Sequence, residues 1–321
     1  ARKHGFACIL HEKPFAGING SGKHNNWSLC DSDGNNLLEP GSTPRDNAQF
    51  LVFLAAIMRA VHKNPAVLRL GSVGAGNDHR LGVNEAPPAI ISIFLGQQLT
   101  GLLEEIADGG ATCVEGSGSS DWSCGEDILR IGVSTMPNLP RDISDRNRTS
   151  PIAFTGNKFE FRSVGSSMSI APMNIAINTV VANALNDIAS DLENAVGEGV
   201  PFNQAVQELL AAYFREHLPV VFNGNGYGKE WKQEAERRGL PNLKDTITTL
   251  ARYSDSDVME AFLRHGVLTE REMLARQEIL FESYIRQINV EVRLALSLGR
   301  TSILPAAMAW LKEAGIVNHT G

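Results

Sequence analysis

Four cysteines in 321 residues, none in a C-x-x-C spacing, leave little for a disulfide framework or a zinc site to be built from. Cys8, Cys30, Cys113 and Cys124 read instead as ordinary thiols of a reducing compartment. Long apolar runs are also missing. The longest, Leu51 to Met58 and Ala89 to Leu95, fall far short of a bilayer span. There is no basic cluster, and the formal net charge of -7 argues against a nucleic-acid surface. No internal repeat, low-complexity tract or signal-peptide pattern is found. The expectation is a soluble, cytoplasmic protein that binds neither membrane nor nucleic acid. The chain opens on Ala1 rather than methionine and enters structure-forming sequence at once, so a piece of a longer polypeptide is expected.

What is present is enough apolar residue, 43%, for one large or two ordinary cores. The most informative stretch runs from Lys13 to Ser28. Phe6 to Leu10 is expected to feed it as a strand, and Pro14 stops regular pairing because its ring removes a backbone donor. Gly17, Gly20 and Gly22 then let bare backbone approach an anion, and His24 follows directly. Gly17 to Lys23 fits the first seven positions of a P-loop. The eighth, which should carry a magnesium-binding hydroxyl, is His24, and Asn25 to Gly41 has no helical period. A P-loop is a poor reading of it.

Further along, Asp46 is expected to open a helix that closes before Pro65, with His62 as a charge in its last turn. Asn77 to Pro88 reads as a polar loop, and Ile90 to Ile106 as an apolar helix. Thr112 to Asp127 reads as a Gly/Ser-rich surface insertion, and Ile131 to Met136 as a strand. Strict alternation from Lys158 to Arg162 predicts a strand with Phe159 and Phe161 on one face and Lys158, Glu160 and Arg162 on the other. On open surface those charges would contribute little. Lining a cavity, they would need ligands or partners. From Ile175 the pattern is helical: 175–196, 202–217, 230–239, 243–253, 255–265 and 269–298, the last opened by a Thr269-to-Glu272 capping box. His217 and His265 read as helix-end residues, and Met259, Phe262, Phe281 and Tyr284 as core.

Lys13-Pro14, a short spacer, Asn19-Gly20-Ser21-Gly22, one residue, His24, three residues and Ser28 together resemble the ATP-binding signature of glutamine synthetases. Arg80 and Glu85-Ala-Pro are similar to that family's flap, with an Arg-to-Glu spacing one residue shorter than usual. The Asn157-to-Arg162 strand and the helical tail resemble the long type III members in particular. The resemblance implies an α+β fold: residues 1–174 as the C-terminal part of a catalytic domain with a curved antiparallel sheet, and 175–321 as a helical C-terminal region. It also implies glutamate–ammonia ligation driven by ATP through γ-glutamyl phosphate, with Mg²⁺ or Mn²⁺, in a homo-oligomeric ring. It puts metal at His24 and Glu160, and the amino-acid substrate at Asn19, Gly20, Arg80 and Arg162. Nucleotide and phosphate fall to Asn26, Ser28, Arg148 and Lys158, and the catalytic roles to Glu85, as ammonium base, and Arg148. The family's upstream metal carboxylates and small N-terminal β-domain have no counterpart here, so the chain alone is expected to be an incomplete enzyme. A related carboxylate–amine ligase, a guanidino kinase of the same fold and a non-catalytic structural relative are the alternatives.

Overall fold

A computed structural model describes residues 1–82, 86–109, 128–129, 139–140 and 149–315, and the architecture is mixed α+β. The first strand, β1 (Gly22–Trp27), lies inside the glycine-rich stretch rather than before it. Phe6 to Leu10 forms no strand, and Phe6 and Leu10 are exposed. A short apolar run has no strand stability without a partner edge, and Phe6 to Leu10 pairs with no strand. Because β1 rather than a helix carries Lys23 onward, the P-loop reading fails on geometry as well.

The core is organised around α1 (Ala48–Lys63), which buries Phe50, Leu51, Leu54 and Met58 completely. Each such side chain contributes about 1.5–3 kcal/mol by leaving water. Asn47, not Asp46, caps this helix, its side chain accepting from the Phe50 backbone N–H at 3.0 Å. The helix closes before Pro65, as expected, and a second one starts there. Pro65 occupies the first turn of α2 (Pro65–Leu70), where its missing N–H is not needed. Then α3 (Ala75–Arg80) takes in the start, 77–80, of what reads in sequence as a polar loop. Asn77 and Arg80 are buried there, so their polarity reflects internal hydrogen bonding rather than solvation.

The apolar stretch from Ile90 is likewise not one helix. Ile93–Phe94 is a strand, β2, and α4 (Gln97–Ala107) begins only after Gly96, whose φ of 82° breaks the run. A two-residue ribbon pairs β3 (Ile128–Leu129) with β4 (Leu139–Pro140). The expected insertion at 112–127 and strand at 131–136 lie outside the described residues. So do Glu85 and Arg148. Finally β5 (Ile152–Phe154) and β6 (Phe159–Gly165) complete the main sheet, in the order β1-β6-β5-β2. It is antiparallel except for β2, which joins β5 in parallel.

The rest is helical, close to the boundaries expected: α5 (Ala171–Gly197), α6 (Phe202–His217), α7 (Lys229–Arg237), α8 (Thr246–Ala251), α9 (Ser256–Leu263) and α10 (Glu270–Leu298). Helices α5 and α6 pack on α1, and α4 packs on α6, in one continuous apolar core. Both capping-box bonds of Thr269 and Glu272 are formed. Beyond α10 a π-helical turn, Gly299–Ile303, continues into α11 (Leu304–Glu313). The resulting 44-residue helix is, by length and composition, long and apolar enough to cross a membrane. Its apolar half is interrupted by Gly299-Arg300-Thr301-Ser302, so the sequence shows no long unbroken apolar run there.

His217 ends α6, as expected. Its ring is fully buried, with Nδ1 3.0 Å from Nδ1 of His62, so the last turn of α1 meets the last turn of α6 through two imidazoles.

Candidate active site

Strand alternation sorts β1 into two faces. Asn25 and Trp27 turn inward and donate to Asn174 Oδ1 at 2.7 Å and Asn178 Oδ1 at 2.9 Å on α5. Gly22, His24 and Asn26 turn the other way, onto a cavity of about 600 Å³. Opposite them β6 presents Glu160 and Arg162, with Lys158 just before the strand, to the same cavity. Phe159 and Phe161 are buried behind. The alternation read from sequence is therefore the arrangement adopted.

The register between the two strands contains an irregularity that matters. Asn25 pairs with Phe161 and Lys23 with Val164, so Arg162 and Ser163 together stand opposite His24. Such a bulge re-aims side chains. Here it accompanies the approach of His24 Nδ1 to within 2.8 Å of Glu160 Oε1. The other carboxylate oxygen, Oε2, accepts from Arg162 Nε at 3.0 Å and Nη2 at 2.7 Å. Partial burial pushes the Glu160 carboxyl pKa up, but the Arg162 guanidinium and the His24 ring outweigh it and hold the pKa below the usual carboxylate value.

Arg80 forms part of the cavity wall from below. Its guanidinium donates to the backbone carbonyls of Arg162 at 2.9 Å and of Ser163 and Val164 at 3.3 Å, and to Asn77 Oδ1 at 3.1 Å. Burial pushes its pKa down, and the charge of Glu12 opposes this. Only a residue without a side chain fits above it: a Cβ on Gly22 would lie 2.0 Å from Arg80 Nη2. Glu12, which the sequence did not single out, is buried beneath the loop. Its Oε1 accepts from the Ser167 amide at 3.2 Å and from the Ser167 hydroxyl. Its carboxylate fills space left by the missing side chains of Gly76 and Gly165. Seen in sequence, a glutamate beside Lys13-Pro14 gives no sign of burial.

Of the site residues read from the sequence, Gly20, His24, Asn26, Arg80, Lys158, Glu160 and Arg162 line this one cavity, together with Thr155 and Ala86. Ser28 does not line it. Its hydroxyl donates to Asn36 Oδ1 at 2.6 Å and to the Asn157 carbonyl at 3.2 Å. Asn19 precedes Gly20 in the loop and is not among the lining residues. Lys23 points away from the cavity group, its Nζ donating to the Met168 carbonyl.

An imidazole nitrogen and a carboxylate oxygen 2.8 Å apart are a suitable beginning for a divalent cation shell. Among the described residues no group of three or more His, Cys, Asp or Glu converges, so the described part of the cavity offers these two groups to a cation. With two guanidinium groups and an ammonium around it, the cavity suits an anionic ligand bound together with a cation.

Comparison with known proteins gives a consistent result. Residues 205–317 match the glutamine synthetase C-terminal domain family. The chain is 45% identical over 314 residues to the type-3 glutamine synthetase of Dictyostelium discoideum, covering 97% of this chain and 41% of that protein. It is 43% identical over 310 residues to a glutamine synthetase of Bacteroides fragilis, covering 97% of this chain and 42% of that one. A glutamine synthetase of Butyrivibrio fibrisolvens is 41% identical over 318 residues, covering 98% and 43% respectively. The chain thus spans about two fifths of the length of the curated relatives it matches.

Proposed function

We propose that this chain, which resembles the C-terminal portion of the type III glutamine synthetases, forms part of a site that joins ammonia to L-glutamate at the expense of ATP. The single observation that carries the reading is the His24–Glu160–Arg162 cluster on one polar cavity. In the reaction, a carboxylate oxygen of the glutamate side chain attacks the γ-phosphorus of ATP and ADP leaves. Ammonia then adds to the acyl carbon of γ-glutamyl phosphate, loses a proton, and expels inorganic phosphate.

Each resident group has a task in that sequence. Arg162, held in place by Glu160 through Nε and Nη2, brings its positive charge to the substrate α-carboxylate. Arg80 adds positive charge to the wall beneath it. Lys158 and Asn26, with Arg148 and the loop around Ser28, take the nucleotide phosphates, where charge develops during transfer. His24 Nδ1 and Glu160 Oε1 would hold Mg²⁺ or Mn²⁺, which when bound neutralises phosphate charge. Glu85 would attract ammonium and take its proton. A homo-oligomeric ring that completes the site belongs to the same reading.

The test is γ-glutamyl hydroxamate formation by the full-length enzyme from ATP, glutamate and hydroxylamine. Activity in the wild type that falls by roughly 10²-fold or more in Glu160→Gln supports the proposal. A folded wild-type enzyme that hydrolyses ATP without transferring to any amine overturns it.

A further inference from the structure

Helix α3 has two working faces, and only one belongs to the cavity. Toward the cavity, Asn77 Nδ2 donates to the Ser163 carbonyl at 2.8 Å, and Arg80 grips three successive carbonyls of β6. On the opposite side, Asp78 is tied to the helical C-terminal region. Its Oδ2 accepts from the Thr246 amide at 2.9 Å, and its Oδ1 from the Thr246 hydroxyl at 2.8 Å. Thr246 Oγ1 in turn accepts from the Gly74 amide at 2.8 Å, at the N-cap of α3. Arg69, with no exposed surface, donates to Asp78 Oδ1 at 3.3 Å, to the Leu243 carbonyl at 3.1 Å and to the Ser72 carbonyl at 3.0 Å. A six-residue helix has little stability of its own. Its position is therefore set by what grips its two sides.

We infer that Asp78 is a positioning residue, and that through the Asp78–Thr246–Arg69 knot the helical C-terminal region fixes α3, and with it the Arg80 guanidinium and the β6 segment bearing Arg162. The inference rests on the proposed reading of the cavity for its functional consequence. Its mechanical part does not. Asp78 touches no cavity group directly, and Thr246 lies on α8, outside the cavity. What passes between them is the placement of one short helix. The C-terminal region then serves as a buttress for substrate-carboxylate binding, rather than for nucleotide binding.

Thr246→Val is the main variant, because it keeps shape and removes one hydroxyl. Thr246→Ser restores the hydroxyl and is the rescue control, and Asp78→Asn is the harsher variant. In the full-length enzyme, Thr246→Val should raise KM for glutamate about fivefold or more, while KM for ATP and kcat stay within about twofold. Thr246→Ser should return KM to the wild-type value. Independently of activity, amide exchange over 77–81 and 162–165 should quicken by about tenfold in Thr246→Val and not in Thr246→Ser. Should Asp78→Asn not fold, the two threonine variants still decide. A lower melting temperature with unchanged exchange in those segments and unchanged KM would overturn the inference. Quickened exchange in an enzyme with no transfer activity would keep the coupling and reject the proposed reaction instead.

Discussion

Both oxygens of Glu160 are committed, Oε1 to His24 at 2.8 Å and Oε2 to the two donors of Arg162 at 3.0 and 2.7 Å. A carboxylate gripped in this way stays ionised and aimed, which is what a cation ligand requires. Glu160→Gln keeps size and removes the charge. Titration of the full-length enzyme with Mn²⁺, followed by electron paramagnetic resonance, should show affinity falling roughly 10–100-fold or more. An unchanged dissociation constant would remove His24 and Glu160 from the cation site.

Arg162 carries a different expectation. Its side chain is held at the cavity by Glu160, while its own carbonyl is held by Arg80. Arg162→Ala in the full-length enzyme should weaken glutamate binding by about 2–4 kcal/mol, the scale for removing one partner of a buried charge pair. Steady-state kinetics should therefore show KM for glutamate rising far more than KM for ATP. Equal effects on both substrates would contradict the assignment.

The two strands that build the cavity differ in how openly the sequence displays them. Period-two alternation from Lys158 to Arg162 states both the strand and its facing, because a buried sheet face leaves no other register. In β1 the alternation of Asn25 and Trp27 against His24 and Asn26 is hidden, since the inward pair is polar and pairs with Asn174 and Asn178 on α5. Helices α6 and α10 were legible from period and caps. Helix α3 was not: six residues are too few to show a period, and its Asp, His and Arg look like a solvated loop until their partners are known. Those partners, Thr246 and the β6 carbonyls, are more than 80 positions away in the chain. The burial of Glu12 and His217 was illegible for the same reason. A polar residue's environment is decided by segments distant in sequence.

Gly22 offers a test of packing rather than chemistry. A methyl group there would meet Arg80 Nη2 at 2.0 Å and Cζ at 2.5 Å, and that guanidinium cannot swing aside without giving up three carbonyls. Gly22→Ala should destabilise the protein by about 1–3 kcal/mol, as forced overpacking does. Gly17 is the comparison, with φ of 78° and open space around it. Gly17→Ala should cost only the left-handed backbone penalty, about 1–2 kcal/mol, and should leave ligand binding intact. Urea unfolding with a ligand titration on each variant separates the two. A Gly22→Ala protein that bound ligand like the Gly17→Ala protein would mean that Arg80 is less firmly seated than its bonds indicate.

The pair His62 and His217 gives the last prediction, which concerns stability as a function of pH. One proton at most can sit between two Nδ1 atoms 3.0 Å apart, and His217 Nε2 has a carboxylate oxygen of Glu216 no nearer than 3.9 Å. Burial pushes the His217 pKa down to about 4, with Glu216 opposing and His62, Arg59 and Lys63 reinforcing the shift. His62 is pushed down chiefly by burial as well. An unfolded histidine titrates near 6.5. Between that value and about 4 the unfolded chain therefore binds a proton at position 217 that the folded chain refuses. Stability is complete above the unfolded pKa and falls with acidification across that window, by up to ~1.4 kcal/mol per pH unit for each such proton. The lowered carboxyl of Glu160 acts lower down, its contribution being lost only as pH falls through its folded pKa, below 4.5. The interval from pH 6.5 to 5 thus isolates the histidines. His217→Gln keeps a donor for His62 and removes one titration. Urea midpoints of wild type and variant, measured across that interval, should converge as the pH falls because only the wild type is losing the His217 contribution. Parallel curves would show that His217 is not held neutral where α1 meets α6.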